Sequence, residues 1–190
     1  MKSFIRVIVG VAVLTMTAAA DDQVMLQFPN TDVNAVLDFY EHLTGFHIVR
    51  DNQVIGQVSV VTPQRVAKEK AVELIEQTLF SNGFSIIQSS KDTVRIVGIG
   101  KNPVSEGIPF VSKVEDIPAG ERLISFAIKL QFRQPGELIR VLREAQPPSP
   151  NGTGLLMPDA ASRSIIVTDR TSVVRRLIGL VKEIDVRKAK

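Results

Sequence analysis

The chain has 190 residues, 44% of them hydrophobic, with no cysteine, no tryptophan and a formal net charge of +3. That composition allows one ordinary domain or two small ones with cores of Val, Ile, Leu and Phe, and it excludes a disulfide framework or a cysteine metal site. Setting aside Lys2 and Arg6 leaves 21 basic against 20 acidic residues, which is not the charge balance of a nucleic-acid binder.

Residues 1–20 have the three parts of a secretory signal peptide. Lys2 and Arg6 lead, Val7 to Leu14 form a short apolar run, and Ala18-x-Ala20 follows. Cleavage would leave Asp21 first. The run falls short of the roughly 20 residues that span a bilayer comfortably; an uncleaved inner-membrane anchor is the alternative. With no cysteine at the junction, a lipoprotein anchor is excluded. The chain is therefore expected in the periplasm.

The spacing then predicts two small modules, an α+β fold of sandwich type. Residues 21–98 read β-α-β-β-α-β-β. A strand at Val24–Phe28 closes at Pro29-Asn30, and Thr31 or Asp32 caps a helix carrying Val33, Val36, Leu37, Tyr40 and Leu43. Strands follow at Phe46–Val49 and Val54–Val61. A second helix faces Val66, Ala71, Leu74, Ile75, Thr78 and Leu79 inward and Lys68, Glu69, Lys70, Glu73 and Glu76 outward. A hairpin, Phe84–Gln88 with Thr93–Val97, completes the module.

Residues 99–121 are rich in glycine and proline and read as a linker that docks on a module, with both modules expected to survive separation. Residues 122–186 read β-α-β-β-α. Leu123–Phe132 is a strand, and Pro135 opens a helix with Leu138, Val141, Leu142 and Ala145 on one side. After an exposed loop at Pro147–Gly154 come short strands at Leu155–Met157 and Ile165–Val167. Thr168, Asp169, Thr171 and Ser172 offer oxygens for the start of the last helix, which buries Val174, Leu177, Ile178, Val181 and Ile184. A basic tail, 187–190, ends the chain. Residues 21–100 hold 6 Lys/Arg against 10 Asp/Glu and residues 101–190 hold 15 against 10. Such a division favours head-to-tail or side-by-side association, and two independently solvated surfaces account for it equally well.

Signals for chemistry are missing. His42 and His47 stand in no H-x-x-x-H or H-E-x-x-H spacing, and no serine lies in G-x-S-x-G. Asp159 and Asp169 bracket a hairpin, where Asp makes turn hydrogen bonds. The second module's order is similar to KH domains, but no G-x-x-G loop stands between its helices. The expectation is a protein that is not an enzyme, with no cofactor, metal, nucleic acid or small-molecule substrate.

The first module resembles the N0 domain of bacterial secretins, the outer-membrane channels of type II secretion and type IV pili. The matching residues are Phe28-x-Asn30-x-Asp32-x-x-x-Val36-Leu37, Thr44-Gly45-x-x-x-Val49, Gly56-x-Val58-x-Val60 and Leu79-x-x-x-Gly83-Phe84. The second resembles a secretin N1 domain through Met157-Pro-Asp159, Ser164-Ile-Ile-Val-Thr-Asp169 and the closing Lys182-Glu-Ile-Asp185. The resemblance implies a protein-transport component of the periplasmic vestibule, stacked in a homo-oligomeric ring with channel subunits and meeting an inner-membrane platform or adaptor protein. The N0 domain also resembles the signalling domain of TonB-dependent receptors, so a free periplasmic signalling or adaptor domain is the second reading. The family continues into a membrane β-barrel, whereas this sequence stops at Arg187-Lys-Ala-Lys190, so either a fragment or a free-standing subunit is expected. Candidate partner contacts are an exposed edge strand offering unpaired amides and carbonyls, Val24–Phe28 (with Val24, Leu26 and Phe28) or Val58–Val61 (with Val58 and Val60), and, for ring packing, Arg175 and Arg176 on the last helix.

Overall fold

The computed structural model describes residues 23–145 and 154–187; the expected leader, most of the loop expected at Pro147–Gly154 and residues 188–190 lie outside them. The first module runs Gln23–Val24 (β1), Gln27–Asp32 (β2), Val33–Thr44 (α1), His47–Arg50 (β3), Gln57–Val61 (β4), Val66–Ala67 (β5), Lys68–Ser81 (α2), Ser85–Gln88 (β6) and Thr93–Val97 (β7). Helix α1 buries Val33, Val36, Leu37, Tyr40 and Leu43, as its spacing predicts. Asp32 caps it by accepting the Asn34 amide at 2.8 Å, and Gly45, left-handed at φ 74°, stops it. Asp32→Ala should lower stability by about 1 kcal/mol, read as a shifted urea midpoint with an unchanged slope.

Strand β3 lies parallel to β7, and β6 pairs antiparallel on the other side. The remaining strands form two two-stranded pairs, β2 against β4 and β1 against β5, which the Thr62 amide to Leu26 carbonyl bond links end to end as one ribbon. One face of the ribbon packs on both helices. The strand expected at 24–28 differs from this: it breaks at Met25–Leu26 and then runs past Pro29 to Asp32. The register shifts between Phe28 and Thr31, and Asn30 takes φ 44°. This bulge on an edge strand is where a proline without an amide is tolerated.

The second sheet has the order β10-β11-β9-β8, from Phe110–Val111 (β8), Leu123–Lys129 (β9), Leu155–Asp159 (β10) and Ser164–Arg170 (β11). Strand β8 is parallel to β9 and the other pairs are antiparallel. Helices Pro135–Ala145 (α3) and Thr171–Ile184 (α4) cover it, with Leu138, Leu142, Ile165, Val167, Val174 and Leu177 in the core. The whole is a mixed α+β fold.

Two local expectations change here. Strand β9 ends at Lys129, short of Phe132, because the Asp185 carboxylate takes the amides of Gln131, Phe132 and Arg133 at 2.6, 3.1 and 2.8 Å. Helix α4 is capped by Arg170 with no side-chain hydrogen bond. The expected capping oxygens turn elsewhere: Thr171 Oγ1 donates to the Gly120 carbonyl and Ser172 Oγ to the Glu121 carboxylate.

Residues 98–121 are tied to both modules. Arg95 holds the Glu106 carbonyl and carboxylate at 3.3 Å, and Ile108 packs on a cluster of Phe80, Ile87, Val97 and Leu123. Phe110–Val111 adds a strand to the second sheet, and Ile117 is buried in the second core.

Candidate partner-docking surface

Strand alternation decides what the ribbon can offer. Val58 and Val60 point to the face covered by α1 and α2, and Leu26 joins them; all three are buried in the first core. Val24 and Phe28 are half-buried against that core, with the Phe28 ring 5.1 Å from Phe39. These five side chains hold the ribbon down, so an edge contact through either strand would be made by its backbone. What faces outward is backbone. The Thr62 amide bonds the Leu26 carbonyl at 2.9 Å, so the two-residue period aims the amides and carbonyls of Ser59 and Val61 away from β2. Among the described residues no strand pairs with that outer edge of β4. Val61 is 52% exposed and Met25 45% exposed beside it, an apolar flank at the same end of the ribbon.

Arg175 and Arg176 are exposed on α4, as expected. Arg175 is already engaged within the chain, donating to the Ile117 carbonyl at 2.8 Å. His42 and His47 are exposed and lie on different elements. Asp159 accepts the amides of Ala161 and Ser162 in the β10–β11 turn, at 3.1 and 3.2 Å. Among the described residues no group of His, Cys, Asp or Glu is placed to hold a metal ion, and no helix is long and apolar enough to cross a membrane.

The sequence reading missed the junction between the modules. Glu76, placed on the outer face of α2 by its charge, is fully buried. Its carboxylate accepts from Arg122 Nη1, from the Tyr40 hydroxyl at 2.6 Å and from the Glu121 amide at 2.6 Å. Arg122 Nη2 also donates to the Tyr40 hydroxyl at 2.7 Å. Burial drives the Tyr40 phenol well above its ordinary range, with Arg122 offsetting part of the rise. A groove of about 670 Å³ opens beside this cluster, lined from both modules by Phe46, Lys68, Glu73, Gly120, Ser172 and Arg175. The only clue to Glu76 was Tyr40, a polar tip in an apolar stripe that needed a partner.

These two modules match two protein-family models. One, described as the GspD-like N0 domain, covers residues 26–96. The other, the bacterial type II/III secretion system short domain, covers residues 125–190. The chain belongs to the secretins. Secretin XcpQ of Pseudomonas aeruginosa is 24% identical over 160 residues, 84% of this chain and 22% of its own length. Secretin GspD 2 of Escherichia coli is 23% identical over 158 residues, 83% of this chain and 23% of its own. The chain thus spans about a quarter of the curated secretins it matches. A solved Klebsiella pneumoniae type II secretion system outer membrane complex, described as PulD, PulS and the PulC HR domain, shares the fold. There the TM-score is 0.67 at 18% identity, over 83% of this chain and 26% of that one. In secretin terms, the ribbon with the open β4 edge belongs to N0, and the Glu76 cluster joins N0 to the short domain that follows.

Proposed function

We propose that this secretin region acts in the periplasm as a non-enzymatic docking element of a type II secretion system. Its N0 module takes an extended segment of an inner-membrane partner along the outer edge of β4. The observation that carries the reading is that edge: outward amides and carbonyls at Ser59 and Val61, flanked by exposed Val61 and Met25. Unpaired strand edges attract strands, and exposed apolar side chains at alternate positions add specificity. The Klebsiella complex, in which PulD stands with PulS and the PulC HR domain, supports a heteromeric contact for secretins of this fold. A ring of copies, with the basic face at Arg175 and Arg176 turned to a neighbour, accompanies this reading.

The test is binding of the periplasmic region of the inner-membrane partner encoded with this secretin. Calorimetry should show a Kd at least about tenfold weaker for Val61→Lys, since a lysine on an edge strand opposes pairing. The melting temperature should hardly move, because the side chain is exposed. Amide exchange at Ser59 and Val61 should slow when the partner binds. Unchanged affinity in Val61→Lys together with unprotected amides would remove β4 as the docking edge.

A further inference from the structure

Arg122 is a costly residue where it stands. It is 3% exposed, and among the described residues its Nε has no hydrogen-bond partner. A buried ion pair adds little stability over packed apolar residues, so its use is better sought in fixing one arrangement of the chain. All of its polar side-chain contacts reach across the junction. Glu76 and Tyr40 lie on α2 and α1 of the first module, while Arg122 opens β9 of the second. The guanidinium also lies 5.5 Å from the Phe46 ring centre. A second arginine repeats the pattern, with Arg170 of β11 centred 4.1 Å above the Phe80 ring of α2. Both aromatics are in the first module and both cations in the second.

The backbone is shaped to the same contact. Gly120 sits at φ +79°, and a Cβ there would fall within 3.0 Å of the Glu76 carboxylate. Only glycine allows Glu76 to reach the Glu121 amide. The Thr171 hydroxyl then fastens the Gly120 carbonyl to the start of α4, and the Thr171 amide bonds the Arg122 carbonyl at 2.8 Å.

We propose that Glu76 and Arg122 form an interdomain latch that fixes the second module on the first, so that the two turn as one body. Independent, separable modules are the opposite outcome. A partner strand drawn onto β4 would then rotate the short domain together with N0. The latch does not depend on what docks there.

The experiment uses the chain without residues 1–20. As there is no native cysteine, Asn52→Cys and Glu183→Cys can carry spin labels on exposed sites, one in each module. The expected result is a single narrow inter-label distance distribution, broadened in Arg122→Met. That variant should also lose about 10 °C in Tm, because it strands a buried carboxylate. Glu76→Leu combined with Arg122→Met removes both charges and should recover most of the lost Tm. A wild-type distribution already broad, or one left unchanged by Arg122→Met, overturns the latch. So does a double variant whose Tm stays as far below wild type as a stranded charge would put it, an outcome readable even if Arg122→Met fails to fold.

Discussion

Asp185→Ala should cost about 3 kcal/mol at neutral pH, and the difference from wild type should vanish in acid. The carboxylate is 8% exposed at the end of α4 and accepts three successive amides, Gln131, Phe132 and Arg133, from the loop between β9 and α3. Removing it leaves three partly buried amides without their acceptor at once, and charge-assisted hydrogen bonds carry about 1.5–3 kcal/mol each, though not additively and with water able to replace part of the loss. Burial pushes the Asp185 carboxyl upward, but the three amides outweigh it and hold the group below the usual carboxylate range. A group depressed in the folded state contributes its full stability above its unfolded pKa, about 3.9, and loses it as pH falls through the folded value. Melts of both proteins should therefore differ by about 10 °C at pH 7 and converge as pH drops below about 4. Asp185→Asn, which retains an acceptor oxygen, should lie between. A difference that persists unchanged at the acid end would show that the carboxylate's charge is not what holds the loop.

Gly98→Ala should destabilise the first module by about 3 kcal/mol. Gly98 is buried just after β7, and a Cβ there would lie well inside 3.0 Å of the Gln53 carbonyl. That neighbour is backbone, so it cannot swing aside as a side-chain tip would. The turn at 51–53 would have to lift, and with it the Asp51 carboxylate that receives the Gly98 amide at 2.9 Å and the Gln53 amide at 2.6 Å. Gly100→Ala is the control: it meets open space at φ +84° and should cost only about 1–2 kcal/mol, the strain of a left-handed alanine. Guanidinium melts of the two variants decide the matter. Equal losses would mean that the turn at 51–53 yields to the added methyl and that the clash does not limit position 98.

Much of the candidate surface was legible as fold and little of it as contact. The run at Gln57–Val61 announces a strand, and its alternation shows which side is core. The same alternation does not tell an edge strand from a paired one, so it leaves both Val24–Phe28 and Val58–Val61 as candidate edges. Only the pairing of the neighbours reveals which edge is free, and pairing is a property of distant residues. Met25 and Val61 fall within the two candidate edge strands, but that they stand exposed together is decided by the fold, because exposure of a single valine has no signature in a sequence.

By itself the sequence determined where the helices run, which faces they bury, where two cores close and which family's domains they match. These follow from local period, caps and turn residues, which act over a few positions of the chain. The tertiary structure alone decided that Glu76 turns inward, that Thr171 and Ser172 serve residues 120–121 in place of a helix cap, and that 98–121 binds both modules. A lone glutamate on a helix reads as solvated because burying an unpaired charge is prohibitive. Its burial becomes affordable only once Arg122, 46 residues away, is folded against it.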